Sequence, residues 1–214
     1  TMKIGLIGTG FMGRAHVLGY AAAEKAFDLP LPVTLHAVAD VMQDGAERAA
    51  RAFGFAHATD DWRTLIADPE IDVIDITAPN ALHREIALAA IAAGKHVYCE
   101  KPLAPLASEA LEMTRAAEAA GVVTQVGFNY LMNPLFALAR DMIAAGELGE
   151  VYSFRGVHAE DYMADPAAPW SFRHDAAGGG ALADIGSHAL ATAEYLLGPI
   201  ASVAAQSATL IPRR

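Results

Sequence analysis

The sequence predicts an α/β protein whose first part is a parallel sheet covered by helices on both faces. Three observations carry this. Short apolar runs alternate with alanine-rich helical runs from residue 3 to residue 128. Glycines close the helical runs, and the residues able to do chemistry stand just past the apolar runs. Strands that alternate with helices pair in parallel, and such sheets bind ligands beyond the carboxyl ends of their strands.

The elements follow in order. KIGLIG (3–8) is an apolar run closed by glycine, and RAHVLGYAAAEKA (14–26) is helical. LPLP (29–32) breaks that helix, and VTLHAVAD (33–40) alternates as a strand ending on Asp40. DGAERAARAFG (44–54) is a helix stopped by Gly54, and DWRTLIAD (61–68) is a short one stopped before Pro69. IDVIDITAPN (71–80) is a strand running into a polar turn. ALHREIALAAIAAG (81–94) is the next helix, and KHVYCEKP (95–102) the next strand. SEALEMTRAAEAAG (108–121) opens on Ser108 as an N-cap, and VVTQVGF (122–128) is one more strand.

After residue 128 the rhythm changes. The pattern predicts helices over 134–149 and 181–198, strands over 150–160 and 200–211, and a Pro-, Gly- and Asp-rich loop over 161–180. The division is therefore 1–128 for one domain and 129–214 for the first part of a second. Two strands and two helices leave a sheet edge open, which predicts that the chain is a piece of a longer protein.

Composition excludes several classes. With 214 residues, 54% of them hydrophobic and 19% charged, the chain has a sizeable core and is not disordered. A net charge of −10 leaves no excess of Lys and Arg to neutralise phosphates, so a nucleic-acid partner is not expected. No apolar run approaches the roughly 20 residues of a membrane span. No basic region followed by a long apolar run marks a signal peptide. One cysteine cannot form an internal disulfide, which fits the cytoplasm.

Gly8-Thr9-Gly10-Phe11-Met12-Gly13 fits G-x-G-x-x-G between a strand and a helix. That pattern allows a tight turn, close approach of a pyrophosphate, and close helix–strand contact. The fold it indicates is the Rossmann fold. Asp40 ends the second strand, where a carboxylate binds ribose hydroxyls and repels a 2′-phosphate, so NAD is favoured over NADP. The insertion EKAFDLPLP explains its late position, and the competing role is a cap on the next helix. In TAPNALH (77–83), Pro79 and Asn80 shape a turn at a strand end close to the cofactor, with Thr77 beside it. Asn80 or His83 hydrogen-bonds the cofactor, or the stretch is an ordinary turn with Asn80 as a helix cap. Asp184 and His188 are four apart on a helix beside Gly178, Gly179, Gly180 and Gly186, a spacing that lets a carboxylate tune an imidazole base. The eight histidines show no metal-ligand spacing, so no metal is expected, and Cys99 reads as a small buried residue rather than a nucleophile.

The stretches GLIGTGFMGRAH, DVIDITAPNALHREIALAAIAAGKHVYCEKPLA, VGFNY and GGGALADIGSH together resemble the glucose–fructose oxidoreductase / inositol dehydrogenase / rhizopine-catabolism (Gfo/Idh/MocA) family. The resemblance implies an N-terminal Rossmann domain and a second α/β domain on a mostly antiparallel sheet, incomplete here. It implies hydride transfer between NAD and a secondary hydroxyl or ketone of a sugar or cyclitol, in a homo-oligomer. It places Lys101 beside the reacting carbon, with Lys101–Pro102 as a cis bond, and makes Asp184 and His188 the other catalytic residues. Glu100 helps hold Lys101 or the cofactor, and Asn129 joins the cofactor contacts. Where family members often carry a further aspartate three residues after the histidine, this chain has Ala191, which bears on substrate contacts.

The chemistry that follows is an alcohol oxidation in which His188 accepts the hydroxyl proton, Asp184 stabilises the imidazolium, and Lys101 stabilises the negative oxygen. Tyr162, Trp170 and Arg173 lie on a loop suited to a neutral polyhydroxylated ring. The rival readings are an NAD-retaining glycosidase of the same family and a non-catalytic cofactor-binding regulator.

Overall fold

Strands β1 (Met2–Ile7), β2 (Val33–Ala39), β3 (His57–Thr59), β4 (Val73–Ile76), β5 (His96–Cys99) and β6 (Thr124–Val126) form one sheet in the order β3-β2-β1-β4-β5-β6. Every neighbouring pair is parallel. This is the strand order of the dinucleotide-binding doubly wound fold. The structure is a computed structural model that describes residues 1–169, 171–174, 179–209 and 211. The chain divides into two units, Thr1–Gly127 and Phe128–Arg214.

The sheet explains the apolar runs. Ile4, Leu6 and Ile7 of β1 and Ile74 and Ile76 of β4 are buried, as expected for central strands covered on both faces. Alternation sorts them. Leu6 and Val38 pack with Val17 of α1 (Phe11–Ala26) and Ala49 of α2 (Gln43–Phe53). Ile7, Ile74 and Ile76 pack with Leu65 of α3 (Trp62–Ala67), Ile86 of α4 (His83–Ala92) and Met113 of α5 (Ala107–Ala120). Each fully buried Leu or Ile contributes roughly 1.5–3 kcal/mol.

Several element ends differ from the sequence reading. Helix α1 begins at Phe11, directly behind the glycine turn, rather than at residue 14. The edge strand β3 has too few residues to give a pattern. Ser108 lies inside the first turn of α5, whose N-cap position is Leu106. A 3-10 turn, Asn80–Leu82, precedes α4.

In the second unit, α6 spans Pro134–Ala144. Asn133 caps it by accepting the Leu135 amide at 3.0 Å. Gly146 and Gly149 take positive φ, so the helix stops short of residue 149. A π-helical turn, Leu182–Gly186, leads directly into α7 (Ser187–Leu197). The Arg140 guanidinium of α6 lies 4.8 Å from the Tyr195 ring centre of α7. The strands expected over 150–160 and 200–211 do not form among the described residues. A strand needs a paired neighbour for its backbone groups, and neither segment has one among those residues.

Candidate active site

The parallel ladders bring five residues into line at the carboxyl edge of the sheet. Each stands one step past its strand and donates its amide to the neighbouring strand. Asp40 reaches the carbonyl of Thr59, Gly8 that of Ala39, Thr77 that of Ile7, Glu100 that of Ile76, and Gly127 that of Cys99, all at 2.8–3.1 Å. Five strand ends, spread from residue 8 to residue 127 of the sequence, thus present their first loop residues along one edge.

The glycine turn is built by its neighbours. Gly8 has φ +103°, and a Cβ there would stand 2.8 Å from the Thr77 carbonyl oxygen. A Cβ on Gly13 would stand 2.2 Å from the Gly8 oxygen. Thr77 Oγ1 donates to the Gly8 carbonyl at 2.8 Å, and Asp40 Oδ2 accepts from the Thr9 amide at 2.9 Å and from the Thr9 hydroxyl. Thr77 and Asp40 therefore brace the turn with their side chains, a task that the sequence assigned to neither. Asp40 Oδ1 lies 3.4 Å from the Met42 amide.

Gly10 is different: a Cβ there would meet nothing within 4 Å. It is the N-cap residue of α1, no described side chain caps that end, and the first turn carries no acid. Open space above uncapped amides suits the phosphates of a dinucleotide. Phe11 is exposed and Met12 half-buried beside it. A cleft of about 310 Å³ runs from Thr9 past Arg14 and Arg48 to Phe53. Arg48 reaches this cleft from within α2.

At the next strand end, Pro79 is exposed and Asn80 half-buried in the 3-10 turn. His83 is a buried strut. Its ring nitrogens lie 2.9 Å from the carbonyl oxygens of Ala78 and Pro102. Both are thus engaged with backbone, which opposes the cofactor contact considered for His83 and makes the ring a brace instead. It ties the loop after β4 to the Lys101–Pro102 peptide, which is cis.

Lys101 is half-buried, and its amide donates to Glu100 Oε2 at 3.2 Å. Glu100 is buried and meets a group that gave no sequence signal. His16 Nε2 lies 3.1 Å from Glu100 Oε1, and His16 Nδ1 lies 2.9 and 3.0 Å from the two Asp75 oxygens. Tyr20 donates its hydroxyl to Asp75 Oδ2 at 2.9 Å, and Tyr98 stacks on the His16 ring at 4.7 Å. Burial alone would lower the His16 pKa, but the two carboxylates, by hydrogen bond and charge, raise it to about 9. Burial, with the Glu100 and Asp75 charges added, pushes the Cys99 thiol well above its ordinary value. That keeps it protonated and unreactive.

In the second unit, His188 is buried in α7. Tyr130, His158 and Phe128 surround its ring at centre distances of 4.3, 5.7 and 5.8 Å. Tyr130 stood in the quoted VGFNY stretch without a role, and His158 lies in the segment expected as a strand. Asn129, exposed, begins the 3-10 turn Asn129–Met132. Asp184 lies in the π-helical turn, where it accepts from the Tyr162 hydroxyl and from Arg173 Nε at 3.1 Å. Tyr162 and Arg173, expected on the substrate, are thus fastened to Asp184. Burial first, then the Asp184 contact, pushes the Tyr162 pKa up to about 12. Trp170 and Gly178 lie outside the described residues.

His36, Asp68 and Glu70 also converge, with ligand atoms within 4.8 Å of one another. Sequence spacing had not shown this. His36 Nε2 meets Asp68 Oδ2 at 3.0 Å, and Lys3 Nζ donates to Glu70 at 2.6 Å. Lys95 Nζ donates to the carbonyls of Asp68 and Ile71. Protein cations already neutralise these carboxylates, so the cluster is an ion-pair network.

A parallel sheet in this order, with an uncapped glycine turn at its carboxyl edge, defines a dinucleotide-binding fold. Residues 2–128 match the family described as an oxidoreductase family with an NAD-binding Rossmann fold, and residues 136–214 match its GFO/IDH/MocA C-terminal domain. The chain belongs to the GFO/IDH/MocA oxidoreductase family. It is 45% identical to a levoglucosan dehydrogenase of Pseudarthrobacter phenanthrenivorans, over 100% of this chain and 55% of that protein. It is 35% identical to a 1,5-anhydro-D-fructose reductase of Ensifer adhaerens, over 90% of this chain and 56% of that protein. A solved levoglucosan dehydrogenase in complex with NADH and levoglucosan superposes with a TM-score of 0.96, at 45% identity over 99% of this chain and 58% of the other. The chain spans about half the length of the curated relatives it matches. No described helix is long and apolar enough to cross a membrane.

Proposed function

We propose that this chain is part of an NAD-dependent dehydrogenase that oxidises a secondary hydroxyl of a neutral sugar or cyclitol, or runs the reverse reduction. The observation that carries the reading is the alignment of the glycine turn, Thr77 and Glu100-Lys101 along one sheet edge, one step past three adjacent strands. The amides behind Gly10 hold the pyrophosphate, Asp40 faces the ribose hydroxyls and disfavours a 2′-phosphate, and the loops bearing Asn80 and Asn129 contribute further contacts. When bound, NAD supplies the hydride acceptor.

The chain's own residues manage the proton and the charge on oxygen. His188 accepts the proton of the reacting hydroxyl, and Asp184 stabilises the imidazolium that forms. Lys101 donates a hydrogen bond to the same oxygen as it becomes negative. Tyr162 and Arg173 act by holding Asp184. The protein works in the cytoplasm as an assembly of identical subunits.

The test is NADH formation by the full-length enzyme across a panel of sugars and cyclitols, starting with the 1,6-anhydro sugar levoglucosan. NADH appearing with one of them, and lost in Lys101→Ala and His188→Ala, supports the reading. Hydrolysis of a glycoside without net NADH, or near-normal turnover in both variants, overturns it.

A further inference from the structure

His16 has no place in the proton and hydride chemistry above, yet it has the most demanding surroundings in the first unit. Its side chain is 6% exposed and lies between Asp75 at 0% and Glu100 at 7%. Both ring nitrogens face carboxylate oxygens, and only a doubly protonated imidazole donates from both. Two buried carboxylates also need a cation between them, because an uncompensated buried charge is costly. The groups facing His16 are Asp75 from β4, Glu100 from the end of β5, Tyr20 from its own helix and Tyr98 from β5. Tyr20 donates to Asp75, so Asp75 accepts on every side, as an ionised carboxylate does.

The position of this cation matters more than its charge. His16 is three residues past Gly13, on the helix whose N-terminus receives the dinucleotide phosphates. Glu100 carries the contact onward: Oε1 takes His16, and Oε2 takes the Lys101 amide at 3.2 Å. One imidazole and one carboxylate thus connect the phosphate-binding helix to the peptide that carries the lysine.

We propose that His16 is a positioning residue: its ring, clamped between Asp75 and Glu100, fixes the Glu100 carboxylate and through it the backbone of Lys101. This rests on reading Lys101 as the donor to the reacting oxygen. The helix that binds the cofactor and the loop that bears the lysine then move as one piece, and the lysine is in place whenever the dinucleotide is bound.

The test uses the full-length enzyme with His16→Gln, Glu100→Gln and the double variant. His16→Gln is expected to lower kcat about 10- to 100-fold, the scale for displacement of a catalytic group by about 1 Å. The KM for the sugar and the Kd for NADH stay within roughly threefold, because neither ligand touches His16. The double variant is expected to lose no more than Glu100→Gln alone, since His16 acts through that carboxylate. Fully additive losses, or an unchanged kcat in His16→Gln, overturn the proposal.

A second measurement needs neither the His16 variant nor any turnover. In the otherwise native protein, the NMR titration of the His16 ring is expected to move to lower pH in Glu100→Gln. A His16 ring that titrates identically with and without the Glu100 charge overturns the clamp, even if no sugar proves to be a substrate. A clamp intact by titration in an enzyme that oxidises no sugar or cyclitol overturns the function proposed for Lys101 instead.

Discussion

The Glu100 carboxylate fills the space that a side chain on Gly127 would need: a Cβ there would stand 2.5 Å from Glu100 Oε1 and 3.2 Å from Glu100 Cα. The two residues are neighbours because the Gly127 amide donates to the Cys99 carbonyl at 2.8 Å, one step past β6. Glu100 cannot swing away without leaving His16 and the Lys101 amide. Gly127→Ala in the full-length enzyme is therefore expected to destabilise by about 1–3 kcal/mol, the usual cost of overpacking. Turnover should fall with it. A urea midpoint equal to wild type would show that the carboxylate has room to move.

Two glycines of the turn are expected to respond differently to the same methyl group. At Gly13 the Cβ would press to 2.2 Å from the Gly8 carbonyl oxygen, so Gly13→Ala should cost stability outright. At Gly10 no atom lies within 4 Å, so Gly10→Ala should melt like wild type and instead weaken NADH binding by about tenfold, roughly 1.4 kcal/mol. Thermal melting and NADH fluorescence titration on the two variants check this. Equal NADH affinity in Gly10→Ala would mean that the open space is not the phosphate site.

His83 offers the opposite pattern. Removing its ring leaves the Ala78 and Pro102 carbonyls without their partner in the interior. His83→Ala is expected to cost about 2 kcal/mol or more, within the range for large core truncations and unmet buried groups. The NADH Kd should change little, whereas kcat should fall because Pro102 adjoins Lys101. A large rise in the NADH Kd with unchanged stability would restore His83 as a cofactor contact.

How much of this was legible in the letters depends on the range of the interactions. Glycines at helix ends, apolar strands and the G-x-G-x-x-G turn are local patterns, and the parallel sheet and the residues at its strand ends followed from them. The His16, Asp75 and Glu100 network was not legible, because its members lie 59 and 84 residues apart. Its one trace was a charged Asp75 inside the otherwise apolar run VIDI (73–76). The roles of Thr77 and Asp40 were visible as positions but not as contacts, since which atom a side chain reaches is set by the turn it braces. In the second unit, the apolar and polar alternation over 150–160 promised a strand, but pairing depends on a neighbouring backbone rather than on the segment itself.

The pH dependence of stability gives a last and separate reading of His16. Its pKa is about 9 in the folded protein, against about 6.5 for an unperturbed histidine. The folded value is the higher one, so the stabilisation is fully present below pH 6.5. It is lost progressively as pH rises through 6.5 towards 9, because the folded state then holds a proton that the unfolded state has released. The ring is buried, and the full span corresponds to roughly 3 kcal/mol. Cys99 acts in the same direction, since burial raises its pKa too, but only above its ordinary value near 8.5. Asp75 also acts in this direction, since burial raises its pKa, so the difference between wild type and His16→Gln isolates the histidine in the window from pH 6.5 to 8.5. In urea unfolding of the full-length enzyme, the wild-type midpoint is expected to fall across that window more steeply than the midpoint of His16→Gln. Parallel slopes in the two proteins would mean that His16 enters the fold uncharged and that Asp75 or Glu100 carries the proton in its place.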